Sequence, residues 1–340
     1  MRILPLDLAD TETVRACLEV HDAAMRADDP AEPPVSLALF LSRLSTGWSG
    51  APAETWIATG EADGRVAAWY RAEFPDLENQ NRAGLDVQVH PARRRGGLGA
   101  ALLRHAAGRA AARGRAILDG GVQEGSAGEA FAQRAGATLG QAEVRRVIEL
   151  AKIPAGSISR LREVAAKAAG GYSLVRWQGV VPDDRLEQVA ALQNAMNDAP
   201  RDAGIAPQSW DAERVRDRMN ARVARSPSRR YSLAAVQDAT GEMAALTTVS
   251  VDPGVPDWGH QLITAVTRPH RGHRLGLLTK AAMMDWLAGA EPQVERIVTW
   301  NAASNRHMIA VNEELGYEIS GRPYRTVELP VASVVEPQAP

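Results

Sequence analysis

Apolar and polar positions run through this chain in two successive rounds of the same plan. Alternation over residues 2–6 predicts a short strand. A helix follows from Thr11, where Thr11 can cap and Val14 and Leu18 share a face. A proline-rich break at 27–36 (ADDPAEPPVS) separates it from a second helical stretch over 37–44. Strand-like runs come next at 55–59, 65–74 and 85–89, the first two joined as a hairpin by a turn at Ala62-Asp63-Gly64. Residues 99–113 read as a helix with Ala101, Leu102 and Ala106 inward, ended by Gly114. The round closes with a buried strand at 116–118, a helix over 129–135 stopped by Gly136, and an alternating strand at 143–150.

An alanine-rich helix over 157–171, ending at Gly170-Gly171, reads as a connector, after which the pattern restarts. A strand is expected at 172–177, helices at 183–196 and 210–224, and a hairpin over 231–251 that turns at 238–241. A strand at 262–266, a helix at 276–287, a strand at 296–300, a helix at 304–315 and a last strand pair from Gly316-Tyr317 complete it. The expectation is one mixed-sheet α/β fold, duplicated: domains at 1–152 and 172–330, a helical linker at 153–171, and a disordered proline-rich tail at 331–340.

Composition narrows the class. The 340 residues are 45% hydrophobic and 24% charged, as in a water-soluble globular protein long enough for two cores. A net charge of −2 leaves no overall field to draw in nucleic acid or an anionic membrane, so a nucleic-acid partner is disfavoured. The start, MRILPLDLADTETV, carries acids where a secretory signal has an apolar core, and no stretch reaches membrane-spanning length, which points to the cytoplasm. The single cysteine, Cys17, rules out a disulfide framework or a multi-cysteine metal site and reads as a buried apolar residue; no metal is expected.

The chemistry concentrates in two matching segments. Residues 85–99, LDVQVHPARRRGGLG, and residues 262–276, LITAVTRPHRGHRLG, both run from an apolar strand through a basic turn to a glycine that opens a helix. The unpaired amides of a helix's first turn, with the positive end of its dipole, suit phosphate. Small residues at Gly97 and Gly99 let the backbone close on a diphosphate, and Arg94 or Arg95 can bind a phosphate oxygen. Two copies are far less expected by chance than one.

Arg94-Arg95-Gly96-Gly97-Leu98-Gly99, an Arg-x-x-Gly-x-Gly run after a strand, resembles the acyl-CoA pyrophosphate loop of the GNAT N-acetyltransferase superfamily. With Arg271-Gly272-His273-Arg274-Leu275-Gly276 and TWNAASNRHMIAVNEELGY behind it, the second round resembles the C-terminal half of tandem GNAT proteins of high-GC bacteria. The resemblance implies acetyl-CoA, or another acyl-CoA, held in the first half by Val87, Val89, the loop Arg94 to Gly99, and Ala100. In the second half it implies Thr264, Val266, the loop Arg271 to Gly276, Asn301 and Asn305. It further implies that the strand before each loop splays from its neighbour and that pantetheine adds to the exposed edge, with Val89 and Val266 polarising the thioester. Arg274 stands where the first half has Gly97, and the first-half segment Asp119-Gly120-Gly121 lacks the asparagine of the second, so which half is catalytic stays open.

The implied reaction is direct attack of a small-molecule amine on the thioester in a ternary complex. An alkylammonium must first lose a proton, so a base is required. Asp86 is the first-half candidate; its counterpart is Ile263, so the second half would need His260, Asp257, Glu242 or a relayed water. His90 and His273 read as exposed turn residues. The tyrosine that protonates the leaving thiolate in many GNAT enzymes is replaced by Ala132 and Asn312, and Tyr324 could substitute. Asp28, Asp29 and Glu32, with Asp198 and Asp202, fall in the segments that line the acceptor pocket in the family. Two other readings stay open: a different donor, either a longer acyl-CoA or an aminoacyl-tRNA, and a non-catalytic acyl-CoA-binding module. Neither loop has the Gly-Lys-Ser/Thr ending of a nucleotide kinase. Monomer and homodimer are both compatible with the chain.

Overall fold

A computed structural model describes residues 1–46, 53–60 and 64–335. The expected turn residues Ala62 and Asp63 and the last five residues of the tail lie outside this set. The chain divides into two compact units, and neither is continuous in sequence. The N-terminal unit comprises Met1–Glu143, Asp202–Ala206 and Gly321–Pro340; the C-terminal unit comprises Val144–Arg201 and Pro207–Ser320.

In the N-terminal unit the strands are β1 (Arg2–Pro5), β2 (Ala53–Thr59), β3 (Val66–Glu73), β4 (Arg82–Val89), β5 (Ile117–Gln123), the first part of β6 (Thr138–Glu149) and β13 (Tyr324–Pro330). Their order is β1-β2-β3-β4-β5-β13-β6, antiparallel except for β4 with β5. Helices α1 (Thr11–Asp28) and α2 (Leu37–Thr46) cover one face; α3 (Leu98–Ala111), α4 (Ala127–Arg134) and α11 (Val331–Val335) cover the other. β3 is buried on both sides, with Ala68, Tyr70 and Ala72 toward α3 and Trp69 toward α1. That is why its sequence reads as a nearly unbroken apolar run. α1 is capped by Asp10, which accepts from the Thr13 amide at 3.1 Å, so Thr11 is the first helical residue and not the cap.

The C-terminal unit repeats the plan. Its strands are β7 (Tyr172–Gln178), β8 (Arg229–Gln237), β9 (Met243–Val251), β10 (Trp258–Val266), β11 (Arg296–Ala302), β12 (Glu318–Ile319) and the second part of β6. On one face lie α6 (Leu186–Ala195), α7 (Ala212–Arg214) and α8 (Ala221–Arg225), the last two joined through a π-helical stretch, Val215–Asn220. On the other lie α5 (Ser157–Ala168), α9 (Leu275–Ala290) and α10 (Arg306–Leu315). α9 is buried from Leu275 through Met284 because α5 packs on its outer side, which explains why it is apolar all round.

Two expectations about organisation are corrected. The 157–171 segment is no free linker: α5 places Ala165 and Ala169 in the C-terminal unit's core. The final strand does not close its own half. β13 inserts between β5 and β6 of the N-terminal unit, pairing Tyr324 with Gln123 on one side and Glu143 on the other. The strand that follows β6 in sequence would have to turn back at once to fill that gap, but the chain instead leaves through Leu150–Lys152 into α5. The gap would expose two strand edges, and β13 satisfies both. Residues 331–335 of the expected tail form α11, with Val331 buried among the residues of α3.

Candidate functional site

The N-terminal unit holds a cleft made by a failure of pairing. β4 bonds to β5 only from Arg82 to Gly84, opposite Ile117 to Asp119; beyond Gly84 the two strands part while β4 stays paired to β3 through Val89. Two glycines on β5 show how close the parting is. A Cβ on Gly120 would lie 2.5 Å from the Leu85 carbonyl oxygen, and one on Gly121 would fall about 2.0 Å from the Tyr324 ring. The sequence predicts a strand over 116–118 only, whereas β5 runs on through both glycines to Gln123.

From Val89 the chain passes through a short turn, Pro91–Arg93, to Gly97, which caps α3 at φ +82° with no side-chain bond to the helix amides. The first intrahelical bond runs from the Ala101 amide to the Gly97 carbonyl, so the amides of Leu98, Gly99 and Ala100 face outward from the helix mouth. A cavity of about 650 Å³ opens there, lined by Val87, Val89, Arg95, Gly97 to Ala100, Arg104, Phe131 and Arg134. A Cβ on Gly99 would only touch the Phe131 ring, at 3.4 Å, whereas Gly97 is needed for its backbone conformation. Phe131, Arg104 and Arg134 are absent from the sequence-based set. Arg104 and Arg134 are exposed on α3 and α4, Phe131 is half-buried against the core, and nothing in their local pattern marks them.

The two arginines of the loop separate in role. Arg94 grips Asp28 at the end of α1 with two bonds, 2.8 and 2.7 Å, and its Nε donates to the Val89 carbonyl at 3.2 Å. Its charge is committed to protein, and so is that of Asp28. Arg95 is exposed at φ +68° and is the loop arginine that remains open to a ligand.

Asp86 and Gln88 project to the sheet face opposite α3, where the Asp86 carboxylate accepts from Gln88 Nε2 at 2.9 Å. Tyr324 reaches the same face from β13. Burial, reinforced by Asp86, Glu143, Glu32 and Asp119, holds its phenol well above the usual range, so it carries its proton at every working pH. His21 on α1 stacks near Phe40 and Trp69, and burial lowers its pKa against the pull of Asp86 and Asp22. Asp202 also belongs here: it accepts from the Gln141 amide at 2.7 Å and from Thr326 Oγ1 at 2.5 Å. The structure therefore unites Asp86 with Tyr324 and leaves His260 apart, on β10 of the C-terminal unit.

The second loop repeats the geometry with its openings filled. β10 pairs with β11 only from Trp258 to His260, then departs through a bulge between Gln261 and Thr264. Thr264 Oγ1 lies 2.9 Å from Thr247 Oγ1. Arg271 bonds Asp198 at 2.7 Å and the Val266 carbonyl at 3.3 Å, repeating the Arg94 strap; the bonds from Arg268 and Arg271 hold Asp198 down at about 2. Arg274, at φ +55°, pairs with Glu314 and not with open space. Leu275 and Gly276 are buried, whereas Leu98 and Gly99 are partly exposed. Behind them Lys280 Nζ donates to Asn312 Oδ1 at 2.7 Å, and Asn312 Nδ2 donates to Asn301 Oδ1 at 2.7 Å. Asn305 caps α10 through the Met308 amide at 3.2 Å. Of the residues expected to hold a carrier here, Arg271, Arg274, Asn301 and Asn305 all have protein partners. Gly272 and His273 stay exposed in the turn, the His273 ring 5.5 Å from that of Tyr172.

Comparison with known proteins agrees with this geometry. Residues 17–136 match the acetyltransferase (GNAT) family. No curated protein matches the chain. Among solved structures it is similar to a tandem GNAT protein from the clavulanic acid biosynthesis pathway, at 28% identity and a TM-score of 0.81, over 97% of this chain and 98% of that one. A GCN5-related N-acetyltransferase from Sphaerobacter thermophilus shares the fold at 17% identity and a TM-score of 0.65, over 97% and 95% of the two chains. The architecture is the mixed α/β GNAT fold, present here in tandem. No described helix is long and apolar enough to cross a membrane.

Proposed function

We propose that the N-terminal unit binds an acyl-CoA, acetyl-CoA in the first instance, and transfers its acyl group to a small-molecule amine. One observation carries this reading: the 650 Å³ cavity lies where the mouth of α3 meets the parted edge of β4. The amides of residues 98–100 would receive the diphosphate, and Arg95, with Arg104 and Arg134 at the rim, would supply charge. The open edge of Leu85 to Val89 would take the pantetheine arm as an added strand.

Donor and acceptor then approach from opposite faces of the sheet. The amine arrives on the face that carries Asp86 and Tyr324, and its ammonium proton leaves toward Asp86, directly or through a water. The amine nitrogen forms a bond to the acyl carbon as the carbon–sulfur bond breaks, the departing thiolate takes its proton from Tyr324, and the second proton shed by the new amide nitrogen restores Tyr324 through solvent. Burial keeps Tyr324 protonated, so the proton is there to give. The closed second loop favours one carrier per chain.

Calorimetric titration with acetyl-CoA tests the assignment. One site per chain is expected, abolished in Gly97→Glu and retained in Arg274→Ala. Release of CoA thiol in an amine panel should follow the same pattern. Loss of binding in Arg274→Ala with retention in Gly97→Glu would place the carrier in the wrong half.

A further inference from the structure

The acyl-transfer reading leaves one titratable ring of the acceptor face without a role. His21 lies on α1, on the stripe that also carries Cys17 and Asp28. That stripe is tied down on either side of it. The Cys17 carbonyl accepts from Trp69 Nε1 of β3 at 3.0 Å, and Asp28 is gripped by Arg94 in the loop after β4.

The imidazole sits in an aromatic corner, its centre 5.7 Å from that of Phe40 on α2 and 6.5 Å from that of Trp69, with those two rings 5.7 Å apart. Trp69 is directly opposite Gln88 on β4, and the Gln88 amide donates to the Asp86 carboxylate at 2.9 Å. His21 and Asp86 therefore flank one Trp69–Gln88 pair on one face of the sheet.

Nδ1 of His21 is sealed from solvent and takes no hydrogen bond from any described residue. A sealed nitrogen left unsatisfied is costly and calls for a reason. It also fixes the route of exchange, since a proton can enter or leave the ring only through Nε2. The charged groups around the ring are Asp86 on β4, Asp22 on α1 and Arg43 on α2. Burial, opposed by Asp86 and Asp22 and aided by Arg43, holds the imidazole below its usual range, so it is neutral at pH 7 and able to accept. A carboxylate ordinarily keeps a proton only below about pH 4, an imidazole below about 6.5. An ammonium proton that leaves toward Asp86 thus needs a further acceptor closer to the working pH.

We propose that His21 is the group on which the ammonium proton of the incoming amine comes to rest, with Asp86 beside it stabilising the imidazolium. The ammonium N–H bond breaks, its electron pair stays on the amine as the nucleophile, and a new N–H bond forms at Nε2. The imidazolium returns that proton to solvent before the next turnover. This role rests on the acyl-transfer reading and completes its proton path.

The test follows CoA-thiol release with the fastest amine of the panel, over roughly pH 5 to 9, in wild type, His21→Gln and His21→Phe. Both variants should lose about 100-fold in kcat with acetyl-CoA affinity unchanged, and added imidazole should restore part of the rate. The acid limb of the wild-type profile should give way to a rise of about tenfold per pH unit toward the amine's own pKa. A packing role alone would spare His21→Phe, which keeps a ring against Phe40 and Trp69. Independently of turnover, the nuclear magnetic resonance signal of the His21 ring should titrate at lower pH in Asp86→Asn than in wild type, because a facing carboxylate has gone. Retained acetyl-CoA binding certifies folding, and if neither His21 variant folds, the ring titration decides. If wild type acylates no amine, the acyl-transfer reading falls and this role with it. If wild type is active and His21→Phe or His21→Gln matches it, or the titration ignores Asp86→Asn, the role of His21 alone is overturned.

Discussion

Replacing Lys280 by methionine should change how stability depends on pH. The side chain is 1% exposed, its Nζ bonds only to the neutral Asn312 amide oxygen among the hydrogen bonds described, and burial brings it down to about 7. The Tyr317 ring face, 4.6 Å away, favours the charged form by up to about 2 kcal/mol. Desolvation of an ammonium costs several kcal/mol even after relaxation, so the neutral form gains. The folded state then binds fewer protons than the unfolded chain, where lysine titrates near 10.4. Stability therefore rises with pH between about 7 and 10, and the penalty is fully present below 7. Linkage over pH 7 to 9 gives a gain of roughly 2 kcal/mol from this residue, several degrees in unfolding temperature for a domain of this size. Urea unfolding of wild type and Lys280→Met at pH 7, 8 and 9 isolates it, because every other titrating group cancels in the difference. The variant should gain on wild type at pH 7 and lose that advantage toward pH 9. A wild-type-minus-variant difference that stays constant across the range would refute the claim that a neutral lysine is buried there.

Other expectations follow from the same geometry. Tyr324→Phe should lower kcat about 100-fold, the lower end for a lost general acid, with little change in the KM for acetyl-CoA; an unchanged rate would remove Tyr324 from the reaction. Gly120→Ala places a methyl 2.5 Å from the Leu85 carbonyl oxygen, which cannot yield as a side chain would. A loss of about 1–3 kcal/mol in chemical denaturation is expected, accompanied by weaker acetyl-CoA binding. Arg94→Lys keeps the charge but loses the fork that spans both Asp28 oxygens and the Val89 carbonyl. Its acetyl-CoA affinity should fall roughly tenfold, while Arg95→Lys changes it little; the reverse order would return Arg94 to the phosphate.

The amino-acid sequence by itself determined the repeated order of strands and helices, and the two helices that follow the basic turns. All of these depend on contacts close along the chain: periodicity, turn chemistry and the residue that a left-handed cap requires. β5 and β10 came out too short, because glycine and polar residues inside a strand are explained only by the backbone and ring that approach them from elsewhere. Tertiary structure alone decided that the mouth of α3 opens onto a cavity of about 650 Å³. The two loops differ at three of six positions, with Gly272, His273 and Arg274 standing where the first has Arg95, Gly96 and Gly97, and Leu275 and Gly276 are buried on a helix that α5 covers, whereas Leu98 and Gly99 stay partly exposed. It also decided that Tyr324 joins Asp86. That pairing depends on a terminal strand filling an edge left open some 180 residues earlier, a choice made by long-range hydrogen bonding that no local pattern encodes.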